Sequence, residues 1–184
     1  PTTDEPTAGS ATMGSATMGG GLHCKDADGD GHGDPDMCMD EPFPGSVPNN
    51  DDCADDNADA FPGSAEAESD TACMQDADGD GWGDNDPDPG VEPGTDCADD
   101  NVNAFPGSAE NESGEACMED ADGDGWGDTM PGPGVDPGTD CDDANVGTFP
   151  GAAENDDPLA CMQDADGDGF GDSTPSDPEV PPGT

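Results

Sequence analysis

The residues whose chemistry is easiest to read are aspartates spaced two apart. Asp76-x-Asp78-x-Asp80-Gly81-Trp82-Gly83-Asp84 sets carboxylates at positions 1, 3, 5 and 9 of one short segment. The phrase returns as Asp26, Asp28, Asp30 and Asp34, as Asp120, Asp122, Asp124 and Asp128, and as Asp164, Asp166, Asp168 and Asp172. Glycine at position 6 permits a sharp turn. Position 7 (His32, Trp82, Trp126, Phe170) can add a backbone carbonyl. Several hard oxygen donors around one turn are the ligand set of Ca2+ rather than of a softer transition metal.

The loop departs from the twelve-residue EF-hand in one respect. Position 12, where a bidentate Glu would close the site, holds Met37, Pro87, Pro131 and Pro175. The closing ligand must come from elsewhere, and Asp52, Asp96 and Asp140, each just before a cysteine, are the candidates. A second motif alternates with the first. It reads Asp55-x-Asn57-x-Asp59-x-Phe61 with Glu66 at position 12. Its later copies carry Asp99, Asn101, Asn103, Phe105 and Glu110, then Asp143, Asn145, Phe149 and Glu154. Oxygen ligands at 1, 3 and 12, with the Phe carbonyl at 7, predict a second Ca2+ site, giving about two ions per repeat. Position 6 is not glycine in these copies, so the turn cannot follow an EF-hand in detail. One ion per motif supplies seven divalent charges and leaves most of the net charge of −47 uncompensated.

Eight cysteines accompany these motifs: Cys24, Cys38, Cys53, Cys73, Cys97, Cys117, Cys141 and Cys161. An even number with almost no basic residue to stabilise thiolates points to disulfides and an oxidising, extracellular compartment. Pairing Cys53–Cys73, Cys97–Cys117 and Cys141–Cys161 spans the second motif each time and leaves Cys24 with Cys38. The competing register, Cys73–Cys97 onward, leaves Cys161 needing a partner beyond Thr184. The aromatic residues at position 7 are expected to form small apolar clusters with Phe61, Phe105, Phe149, Val91 and Val135, or to offer a platform for sugars. His23, His32, Met37 and Met39 are the residues a copper ion would need. Asn111-Glu-Ser113 is an N-glycosylation sequon.

The elements that must position these residues cannot rest on an apolar core. Leu, Ile, Val and Phe make up 13 of 184 residues, with no Ile. Burying them at about 1.5–3 kcal/mol each cannot offset backbone ordering at about 1–2 kcal/mol per residue. Without a metal such a composition predicts disorder. Forty-eight acidic residues against one basic residue exclude nucleic acid and anionic membranes as partners. No segment approaches the ~18 apolar residues of a membrane span. Twenty-nine Gly, 20 Pro and no helical or strand period predict mostly loop, with short helical turns near Asp99–Asn103.

The last three loops start 44 residues apart, and the first repeat carries a five-residue insertion near Cys38 and Phe43. The organisation is therefore a tandem array: a Ser/Thr/Gly-rich segment 1–23, then repeats 24–72, 73–116 and 117–160, and a partial repeat 161–184. The fold class expected is irregular, with little regular secondary structure: a linear repeat rod held by calcium and disulfides. Segment 1–23 reads as a flexible linker, an O-glycosylated stalk or a tract docking on a neighbouring subunit. Pro1 in place of an initiator Met predicts a processed N-terminus or a fragment. Earlier repeats continue from Pro-Gly-Thr into Asp-Cys, so the natural chain is expected to run beyond Thr184.

The Asp-x-Asp-x-Asp-Gly-x-Gly-Asp loops with intervening cysteines resemble thrombospondin type 3 repeats. The longer phrase, running on through Gly-Thr-Asp-Cys-x-Asp-Asp to Phe-Pro-Gly-x-x-Glu, is similar to the MopE-type metal-binding repeats of bacterial surface proteins. The resemblance covers residues 24–184. It implies a secreted or surface-bound bacterial protein with Ca2+ strung along a core-less chain; copper binding belongs to part of that family. The leading expectation is an extracellular structural protein, a calcium-rigidified stalk or a fibre subunit whose partner is a copy of itself or a cell-surface component. The alternatives are an acidic ion store, a mineral- or glycan-binding surface, and a copper-binding surface protein. No Ser/His/Asp, Cys/His or zinc cluster is present, so no enzyme is expected.

Overall fold

The computed structural model describes residues 21–184; the segment 1–23, expected to be a linker, a glycosylated stalk or a docking tract, lies almost wholly outside the described residues. Four glycine- and proline-rich units follow one another, joined by very short antiparallel strand pairs. No helix occurs among the described residues. The segment Asp99–Asn103 forms hydrogen-bonded turns in place of the expected helical ones, with the Asp100 and Asn101 N–H groups both donating to the Ala98 carbonyl.

Strand β1 (His23–Lys25) is flanked by β2 (Cys38–Met39) and β3 (Ser46–Val47) in the order β2-β1-β3. The other sheets are pairs: β4 (Ala60–Pro62) with β5 (Cys73–Gln75), β6 (Ala104–Pro106) with β7 (Cys117–Glu119), and β8 (Thr148–Pro150) with β9 (Cys161–Gln163). Register sets Phe61 opposite Met74, Phe105 opposite Met118 and Phe149 opposite Met162. Each pair therefore joins the second motif of one repeat to the strand that opens the next repeat. The insertion in the first repeat has a structural reason. Strand β1 pairs with β2 and β3, drawn from the insertion and the residues beside it, where later opening strands pair with a preceding Phe-Pro strand.

All four expected disulfides form: Cys24–Cys38, Cys53–Cys73, Cys97–Cys117 and Cys141–Cys161. The last three cross from one repeat into the next. The buried apolar set is small: five alanines (Ala60, Ala65, Ala104, Ala109, Ala153) with Cys24, Val91 and Val180. Packing is completed by ring pairs between a loop and the following second motif. His32 stacks on Phe61, Trp82 on Phe105 and Trp126 on Phe149, with centroids 5.1, 6.3 and 6.2 Å apart. Val91 is buried as expected, while Val135 is only half-buried. Cross-links between repeats and ring stacks within them thus replace the apolar core that orders other folds.

Candidate metal centres

Each first-motif loop is wound by its own aspartates. In the second repeat Asp76 accepts from the N–H of Gly79 (2.7 Å) and of Gly81 (3.0 Å). Both glycines have positive φ, 81° and 93°, a backbone shape that favours glycine. Asp78 Oδ1 accepts from Asp80 N–H (3.1 Å), and Asp80 Oδ1 from Trp82 N–H (2.8 Å). Asp84 Oδ1 accepts from Asp86 N–H (2.9 Å), while its own N–H donates to the Gln75 carbonyl. The segment then returns so that Asp96 bridges to Asp84 and donates its N–H to the Gly83 carbonyl. Gly94 sits so close to the Gly83 carbonyl that a Cβ there would collide with it.

These bonds leave one oxygen on each of three carboxylates without a partner. Asp78 Oδ2, Asp80 Oδ2 and Asp96 Oδ2 are buried and meet no donor. The same trio recurs as Asp28, Asp30 and Asp52, and again as Asp122, Asp124 and Asp140. Asp96 and Asp140 have no exposed surface and Asp52 is 4% exposed. The ligand oxygens of Asp26, Asp28 and Asp30, of Asp76, Asp78 and Asp80, and of Asp120, Asp122 and Asp124 lie within 4.8 Å of one another. Asp96 and Asp140 also lie against the Cys97–Cys117 and Cys141–Cys161 sulfurs, but these are oxidised and offer no thiolate.

Electrostatics agree with that geometry. Burial, then the charge of neighbouring carboxylates, raises Asp80 to about 7, Asp96 to about 6, Asp124 to about 6 and Asp140 to about 7, against backbone hydrogen bonds that lower them. Asp30, Asp52, Asp78 and Asp122 are raised for the same reasons. Buried carboxylates crowded together without donors are costly unless a cation or a proton joins them. The donor set, all oxygen and all anionic, fits a hard divalent ion. The charges of Asp52 and Asp96 bear on Asp30 and Asp80, and those of Asp124 and Asp122 on Asp140.

The fourth loop is wound the same way. Asp164 accepts from Gly167 and Gly169, Asp166 from Asp168, and Asp168 from Phe170. Asp172 donates its N–H to the Gln163 carbonyl. Asp166, Asp168 and Phe170 are exposed.

The second motif divides rather than converging as a single loop. Asp55, Asp99 and Asp143 turn to the first-motif loop of their own repeat, accepting from the N–H of Ala27 (2.8 Å), Ala77 (2.8 Å) and Ala121 (3.0 Å). Burial and neighbours that include Asp128 raise Asp143 to about 7. Asn57 and Asn101 spend their amides on Gln75 and Glu119; Asn145 gives its amide to Ser176. The later positions line clefts against the next loop. Asp59, Phe61 and Glu66 face Asp76 across about 330 Å³, and Asn103, Phe105 and Glu110 face Asp120 across about 280 Å³. Phe149 and Glu154 face Asp164 in the same way. Carboxylates of both motifs therefore meet, but between repeats.

One set of residues escaped the sequence reading. Glu68 accepts from Gly83 N–H (2.8 Å), Thr95 N–H (3.2 Å) and the Thr95 hydroxyl (2.8 Å), holding the loop to its return segment. Glu112 does the same with Gly127 and Thr139, and Asp156 with Gly171 and Thr184. The 44-residue spacing of Glu68, Glu112 and Asp156 was the available signal. The other candidates have other employment. His32 Nδ1 lies 3.0 Å from Asp51, and Met37 and Met39 are exposed. Asn111 is exposed, with its amide donating to the Asp124 carbonyl (2.9 Å). No protein-family model, curated protein or solved structure matches the chain.

Proposed function

We propose that this is an extracellular structural protein, a rod of calcium-binding repeats that serves as a cell-surface stalk or a fibre subunit. The observation that carries the reading is the trio of buried, donor-less carboxylate oxygens, met three times in register. Asp28, Asp30 and Asp52, then Asp78, Asp80 and Asp96, then Asp122, Asp124 and Asp140 would hold Ca2+. The bound ion would supply the positive charge that lets these carboxylates stay ionised inside the fold. Further Ca2+ fits the acidic clefts between the second motif and the next loop. A chain with so little apolar burial gains order from ions and cross-links instead. Four disulfides support an oxidising compartment, and no helix among the described residues is long and apolar enough to cross a membrane. The likeness to thrombospondin type 3 and MopE-type repeats points the same way.

Small-angle scattering and circular dichroism, with Ca2+ and then with EDTA, test the reading. A stiff, extended particle that loosens on chelation and recovers with Ca2+ is expected. Identical curves with and without the ion would reject it. Electron microscopy of native material, and of protein lacking residues 1–23, then separates a fibre subunit from a stalk.

A further inference from the structure

One position varies in charge from repeat to repeat while its place in the fold stays fixed. It is the last residue of the opening strand, immediately ahead of the first loop aspartate: Lys25, Gln75 and Glu119. Lys25, the only basic residue among the Lys and Arg types, places Nζ 3.4 Å from Asp55 Oδ2. Gln75 Nε2 donates to the equivalent oxygen of Asp99 at 2.6 Å. Glu119 has no side-chain donor to offer Asp143; its Oε1 accepts a hydrogen bond from the Asn101 amide. These partners are not remote from the loops: Asp55, Asp99 and Asp143 each accept from the second residue of the adjoining loop. Asp99 and Asp143 also feel the charges of Asp84 and Asp128.

Resting on the calcium reading above, we propose that Lys25, Gln75 and Glu119 set the calcium affinity of their loops, so that the loops fill in the order third, second, first. A positive, a neutral and a negative side chain stand at one place beside otherwise matching donor sets. Lys25 already neutralises part of its cluster and repels an incoming dication. Glu119 adds to the negative field around the third loop. A unit charge roughly 7 Å from a divalent ion, screened as in water, changes the binding constant about tenfold. The device grades loading along a chain whose loops would otherwise bind alike.

The two tryptophans make the order readable, because Trp82 stacks within the second unit and Trp126 within the third. Phe occupies the same position in the fourth loop, so Trp82→Phe and Trp126→Phe are mild and each leaves one reporter. Calcium titrations of the full chain should give a midpoint for Trp126 about tenfold below that for Trp82. Glu119→Gln should raise the Trp126 midpoint to that of Trp82. Gln75→Lys should raise the Trp82 midpoint about tenfold, and Gln75→Glu should lower it by as much. All these gaps should narrow on raising salt from about 0.05 to 0.5 M, which a purely structural role would not produce. Coincident midpoints that ignore these substitutions, or shifts indifferent to salt, overturn the proposal and leave calcium binding standing. Flat titrations, with no calcium retained on equilibrium dialysis, overturn both.

Discussion

Asparagine in place of Asp140 should act in opposite directions on the metal-free and the metal-loaded protein. Asp140 has no exposed surface, and its Oδ2 meets no donor. Burial first, then Asp124 and Asp122, raises its carboxyl to about 7. An unfolded aspartate titrates near ~3.9, so at pH 7 the metal-free fold carries a penalty of up to about 4 kcal/mol at this residue. The corresponding penalty at Asp96, raised to about 6, is up to about 3 kcal/mol. The sign follows from the direction of the shift. An acid raised on folding costs nothing below its unfolded pKa. Its cost grows as pH climbs from ~4 to 7 and is constant above. Metal-free wild type should therefore gain stability on acidification from pH 8 to 5. Asp140→Asn keeps an acceptor for the Asp142 N–H, now at 3.0 Å, and puts an amide donor where the orphan oxygen stood. In EDTA at pH 7 the variant should be more stable than wild type by a few kcal/mol and less sensitive to pH. In calcium it should be the less stable, having lost a ligand oxygen. Urea unfolding followed by Trp126 fluorescence measures both. A variant less stable than wild type in EDTA, or metal-free wild type indifferent to pH, would show that the buried Asp140 carboxylate carries no such penalty.

Three further perturbations follow from the same contacts. Glu112→Ala removes the acceptor of two backbone N–H groups and one hydroxyl, and thermal unfolding in calcium should show a loss of about 1–3 kcal/mol. Gly138→Ala drives a Cβ into the Gly127 carbonyl, and urea unfolding should show a loss of about 1–3 kcal/mol. Replacing Cys141 and Cys161 together by Ser should cost about 3 kcal/mol through the freed unfolded chain, read as a lower urea midpoint.

What could be read from the sequence was whatever repeats locally. The Asp-x-Asp-x-Asp-Gly loops fix their own winding, since each carboxylate caps a backbone N–H only two to five residues on. Asp52, Asp96 and Asp140 could be singled out because the loop lacks a ligand at position 12, and each is buried with one oxygen unpartnered. The disulfides were legible because a single local pairing uses all eight cysteines. The partners of the second motif were not. Its spacing is that of one loop, yet Asp99 finds hydrogen bonds on the preceding strand and loop, while Glu110 faces the loop that follows. The Glu68–Thr95 latch spans 27 residues, and nothing in its composition distinguishes Glu68 from the acidic residues around it. The three-stranded sheet of the first repeat shows only as an insertion until the partners of β1 are known.

If the three trios of inward carboxylate oxygens are calcium sites, each holds an ion when the protein is loaded. A crystal grown in Ca2+, with anomalous scattering measured at a wavelength where calcium contributes, tests it most directly. Anomalous peaks are expected among Asp28, Asp30 and Asp52, among Asp78, Asp80 and Asp96, and among Asp122, Asp124 and Asp140. Anomalous density absent from those three places, in protein that retains its fold, would contradict it.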